Sequence, residues 1–192
     1  MTPLLTGVFA SQISGRLNTW APTSAYDALA TVTVPSGGLS SITFAGIPQT
    51  GYSHLQLRAV ASSNSAGNDT DDLSFQFNGD TGSNYVGHSL TGNGSTAYTG
   101  YASAASSNRS LRVSANNGSS FGAGYIDILD YTDASKHKVG RSLGGTDWNG
   151  GGFIVMESLL WLNTSAINSM VITPKYGSAW REYSSFTLYG VK

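Results

Sequence analysis

The chain has 192 residues, ten Lys and Arg against eleven Asp and Glu, a net charge of −1, and only 11% charged residues. That length fits one domain with a real core plus a short arm, and the near-neutral balance leaves no basic field to hold nucleic acid. The absence of cysteine excludes disulfides and thiolate metal sites, while 24 glycines and long Ser, Asn and Thr tracts predict a turn-rich surface suited to packing against neighbouring subunits.

Residues 1–27 mix single apolar side chains with glycine, serine and proline in no sustained period, the pattern of an arm rather than a domain. The opening MTPLLTGVFASQISGRL has neither the charged n-region of a signal peptide nor the apolar length of a membrane span, so assembly in a cytoplasm is expected. Within the arm, Phe9, Leu17 and Trp20 are the expected anchors into a neighbouring subunit, because buried aromatics dominate interface energetics.

From residue 28 to residue 192 the pattern becomes short β-like runs between turn clusters. Strands are predicted at 28–34, 39–46, 53–61, 72–77, 84–90, 97–102, 110–114, 124–131, 136–143, 152–162, 166–173 and 184–190, with the clearest alternation in Leu55, Leu57, Ala59 and in Leu73, Phe75, Phe77. SLLWLNTSAI (158–167) is the one stretch that could supply a short helix. These elements predict an all-β domain, an antiparallel β-sandwich of jelly-roll type that leaves few exposed edges.

The stretch FNGDTGSNY (77–85) lies between two such runs. Asn-Gly tolerates positive φ at both positions, so a hairpin turn is expected there. Asp69, Asp71, Asp72 and Asp80 form the densest acidic set. A solvated turn is the first reading of that set and a calcium site the second, since the spacing does not match an EF-hand. No other cofactor is expected.

Sugar sites pair aromatic faces with Asn and Asp hydrogen bonders. Loops 78–84, 92–96 and the glycine-rich loop 144–152 are the expected glycan-contacting surface, with Tyr98, near Asn93-Gly94-Ser95, and Trp148 as the candidate contacts. Catalytic chemistry is poorly supplied: His54, His88 and His137 are scattered, and no GxSxG, HExxH or Cys nucleophile occurs. Asp127, Asp130 and Glu157 are the remaining candidates for a carboxylate pair, but Asp127 and Asp130 are odd-spaced, which puts them on opposite faces of one strand.

FNGDTGSNYVGHSLTGNGS, IDILDYTDASKHKVGRSL, LLWLNTSAINSMVITPKYG and the final SSFTLYGVK resemble a family of small virion proteins of tailed phages, frequent in phages of cyanobacteria. The resemblance spans nearly the whole chain. It implies a structural component of the virion, a head decoration protein or a head or tail fibre, with other capsid or tail subunits as partners. A homo-oligomer, as a trimer, and host-surface glycan are the further partners expected; the resemblance brings no catalytic or binding residue with it.

Overall fold

The computed structural model describes residues 25–115 and 120–192. The expected anchors Phe9, Leu17 and Trp20, with the rest of residues 1–24, lie outside the described residues.

The described chain is all-β, built of β1 (Tyr26–Thr33), β2 (Ile42–Ala45), β3 (His54–Ser63), β4 (Thr70–Phe77), β5 (Tyr85–Gly92), β6 (Ala97–Ala105), β7 (Asn108–Ala115), β8 (Gly122–Leu129), β9 (Lys138–Trp148), β10 (Gly151–Trp161), β11 (Ser169–Pro174) and β12 (Ser185–Val191). They make one large sheet that does not close, ordered β2-β11-β4-β7-β3-β8-β9-β10-β5-β6, with β12 also on β3 and β1 on β12. Every pairing is antiparallel except a two-residue parallel contact of Ser62 and Ser63 in β3 with Ser114 and Ala115 in β7.

That short parallel contact is where the sheet folds over. The four-stranded limb β2-β11-β4-β7 lies against the face of the remainder, with β7 across β8, β9 and β10. Alternation supplies the apolar lining from both sides: Leu73, Phe75 and Phe77 from the limb meet Leu55, Leu57, Ile126, Ile128 and Trp161 in one buried cluster. Trp180, fully buried against Phe186, closes the end where β12 joins β3.

Three local expectations are corrected. Phe77–Asp80 is a tight turn, with Asn78 and Gly79 at positive φ and the Asp80 amide donating to the Phe77 carbonyl (2.9 Å), but β4 and β5 do not pair. β4 belongs to the limb and β5 to the main part, so the stretch is a crossover between layers, not a hairpin. Residues 158–167 hold no helix: β10 runs to Trp161 and irregular chain follows.

The glycine-rich stretch 144–152 is mostly strand. β9 extends to Trp148, β10 starts at Gly151, and only Asn149-Gly150 turns. The reason is packing: a Cβ on Gly144 or Gly124 would stand 2.8 or 2.7 Å from the Leu111 side chain of β7, so these strands need glycine for the layers to approach.

The described chain ends lie side by side. The Lys192 amide donates to the Ala25 carbonyl (3.2 Å), and its ammonium pairs with Asp27 at 2.7 Å. β1 therefore begins at Tyr26, inside the span expected for the arm.

Candidate functional site

The predicted carboxylates separate into three settings. Asp80 holds the layer crossing: it accepts from Trp161 Nε1 (2.7 Å), Asn84 Nδ2 (2.9 Å) and the Gly82 amide (2.8 Å). The Trp161 hydrogen bond, then that of Asn84, holds its carboxyl below the usual range against a small opposing effect of burial. Tyr85 completes the corner, its hydroxyl donating to the Asp80 carbonyl and accepting from the Phe77 amide, both at 3.0 Å.

Asp71 accepts from the Tyr176 and Gly177 amides at 3.0 and 2.9 Å, which ties β4 to the chain after β11. Asp72 instead meets Arg109 at 3.3 Å and Arg112 at 3.1 Å. Two residues three apart in a regular strand point to opposite faces, but here the register slips between Asp72 and Leu73. Leu111, at φ 53°, is the extra residue. The bulge resets the phase of β7, so both guanidinium groups reach one carboxylate. Asp69 lies at the start of this run, its carbonyl accepting from Ala115 (3.0 Å). Among the described residues no group of three or more metal-ligating side chains converges.

Glu157 faces the same network from β10. Burial pushes its carboxyl up to about 7, the charge of Asp72 adds to that, and Ser110, Arg109 and Arg112 oppose it. Asp127 and Asp130 do not join it. Asp127 accepts from Gln56 (2.7 Å) and Arg141 (3.3 Å), whereas Asp130 has left the strand, its carboxylate pairing with Lys136 and its backbone amide donating to His54 Nδ1 (2.9 Å).

The candidate glycan loops are partly brought together. The β5–β6 turn and the β9–β10 turn form an open groove of about 620 Å³, lined by Asn93, Asp147, Trp148, Phe153 and Ile154. The half-buried Trp148 ring leans on Phe153, centroids 5.8 Å apart, and the Arg112 guanidinium lies 4.8 Å from the Phe153 ring centre. Stacking thus fixes one side of the aromatic pair. Tyr98 stands opposite Thr91 on β6 and is exposed, but it does not line the groove. Residues 78–84 enter β5 at Tyr85, the end away from the groove.

No protein-family model, curated protein or solved structure matches the chain. What the site can do is therefore read from its own chemistry.

Two further surfaces escaped sequence reading. Among the described residues β6 is an edge strand, AYTGYASAA, paired only with β5 and exposed along nearly its whole length. It carries no charge and no proline, the usual guards of a free edge. Beside it, the outward face of the main sheet carries a cross-strand apolar row, Tyr125–Leu143–Met156–Leu90, around an open concavity of about 680 Å³. The sequence predicts strands at 136–143 and 152–162 but not which of their faces stays open to solvent.

Proposed function

We propose that this chain is a non-enzymatic structural protein of a tailed-phage particle, a capsid decoration or head or tail fibre protein held to other virion subunits through its N-terminal residues. The observation that carries the reading is the pair of unguarded surfaces, the uncharged β6 edge and the apolar row beside it. An edge of nine residues without Lys or Pro is a template for another chain, and a contiguous exposed apolar patch marks an interaction site. The likeness of FNGDTGSNY and SSFTLYGVK to phage virion proteins supports the same reading.

The fold is read as a jelly roll with an insertion. What supports this reading is the limb order β2-β11-β4-β7 together with β3-β10-β5-β6 once β8 and β9 are taken as an added pair, the order of two nested Greek keys. The assembly proposed is a homotrimer: an edge and a face are different surfaces, and a contact between unlike surfaces closes only as a ring.

Removing residues 1–24, which spares β1, is expected to abolish incorporation into particles while the domain still folds; normal incorporation overturns the attachment role. Tyr101→Lys, on the exposed edge, is expected to convert the oligomer to monomer by native mass spectrometry with the melting temperature of the domain kept. An unchanged oligomer removes β6 from the interface.

The Trp148 groove favours one second reading, recognition of host-surface glycan. It is compatible with the first. Trp148→Ala is expected to lose glycan-array or cell-adsorption signal with folding intact, and a purified oligomer that binds neither glycan nor host cells counts against it.

A further inference from the structure

The sequence holds four Asn-Gly dipeptides. Asparagine is a thermally labile side chain, most of all before glycine, which carries no side chain to shield its own backbone nitrogen. Asn117-Gly118 lies outside the described residues, and the structure sorts the other three. To react, an asparagine must swing its Cγ onto the next backbone nitrogen, so each hydrogen bond on its amide slows the step.

Asn78 is fastened at both ends of its amide. Its Nδ2 donates to the Ala166 carbonyl at 2.8 Å, and its Oδ1 accepts from the Asn168 and Ser169 amides at 2.9 and 3.2 Å. Asn93 is held at one end, its Oδ1 accepting from the Ser95 and Thr96 amides at 3.0 and 2.8 Å. Asn149 stands exposed in the two-residue turn between β9 and β10, and neither its side chain nor the Gly150 amide is hydrogen-bonded among the described residues. Space is open where a side chain would stand on Gly79, Gly94 and Gly150 alike, so the hydrogen bonds make the difference.

The same turn seats Trp148. A Cβ on Gly151 would lie 2.8 Å from Cζ2 and 2.9 Å from Cε2 of Trp148, which places the indole against the Gly151 backbone. Gly151 is also the residue that pairs with Trp148 across the turn, and Phe153 supports the ring from the next turn of the pleat.

We propose that Asn149 is a site of spontaneous deamidation, with water as the co-reactant, and that the isoaspartate formed there unseats Trp148. The Gly150 nitrogen attacks Asn149 Cγ, and the new C–N bond closes a succinimide ring. The Cγ–Nδ2 bond breaks, and that nitrogen leaves as ammonia with the proton Gly150 gives up. Water then opens the imide, at Cγ to leave aspartate or at the backbone carbonyl to leave isoaspartate, whose main chain runs through the side-chain carbons. A two-residue turn lengthened by one main-chain carbon no longer holds Trp148 and Gly151 in register. The modification does not depend on what the groove binds, so it stands apart from the glycan reading above.

The test is peptide mapping by mass spectrometry on the full chain aged in neutral buffer at physiological temperature, with fragmentation that separates isoaspartate from aspartate. Asn149 is expected to convert about tenfold faster than Asn93, with Asn78 left intact. A rate at Asn149 no greater than that at Asn93 overturns the proposal. Tryptophan fluorescence of the same samples reads the fate of Trp148. Its emission is expected to shift to the red as isoaspartate accumulates, and the shift is expected to vanish in Asn149→Ser and in Trp148→Phe. No shift after conversion is complete, or a shift that either variant keeps, overturns the unseating. Mapping needs only the wild-type chain, so it decides the site even if a variant fails to fold.

Discussion

Asp80, in the partly exposed turn between β4 and β5, and Glu157, on β10, are acids in opposite chemical states. Asp80 has donors from an indole, an amide side chain and the backbone, which hold it ionised. Glu157 Oε2 lacks a donor of normal geometry, and burial raises its carboxyl to about 7 against the partial opposition of Ser110 and the two arginines. The difference lies in the supply of N–H donors around each acid and in how far each is buried. An acid surrounded by donors fastens a fold, and one left short of them keeps its chemistry available.

The comparison breaks hardest at the corner Asp80 holds. Trp161 is 1% exposed and stacks near Phe77 and Tyr85, centroids 5.5 and 6.4 Å away. Trp161→Ala is expected to cost about 4 kcal/mol, read by chemical denaturation. A loss under ~1 kcal/mol would show that the corner is not a fastening.

The next effect is the pH response of Glu157. Its folded value of about 7 lies above the ordinary 4.5, so protons bind the fold more tightly than the unfolded chain. The stabilisation is complete below the ordinary value and is lost as pH rises through the folded one, about 3 kcal/mol in all. Asp72, Arg109 and Arg112 are the charges that face it. Glu157→Gln is expected to flatten that slope in denaturation curves taken between these limits, and a variant with the wild-type slope refutes the assignment.

Asp80 gives the smaller, opposite signal. Its lowered value contributes stability that is present above the ordinary 3.8 and lost as pH falls through the folded value. Asp80→Asn removes the charge and turns one of two accepting oxygens into an NH2 facing N–H donors, and is expected to cost about 2 kcal/mol at neutral pH. Its penalty should shrink in acid, whereas a penalty constant with pH would mean that only shape matters there.

Much of this fold was legible because β3, β4 and β12 alternate cleanly, as Leu55-Gln56-Leu57 and Leu73-Ser74-Phe75 do. The crossing at 77–85 was not, since Asn78-Gly79 makes the same turn whether the next strand pairs beside the last or on the other layer. Glycines 144 and 145 read as loop because the residue that demands Gly144, Leu111, lies 33 positions upstream in sequence numbering. The setting of Glu157 was equally hidden: its neighbours come from β4 and β7, and a bulge no local pattern announces brings the two arginines to one acid. Asp72 was visible as part of an acidic run, but its partners turned a candidate metal ligand into an ion-pair centre.

The meeting of Ala25 with Lys192 sets how the domain bears load. Tension applied at residue 25 enters β1, which is bound to β12 through seven registered residue pairs, and β12 in turn lies along β3 at the heart of the sheet. Tension along that strand pulls across all of those pairs together, in shear, while tension at right angles peels them singly from Tyr26 onward. The same domain would thus hold firmly against a pull in one direction and open like a zip in the other, so the direction of a load applied at residue 25 decides its resistance.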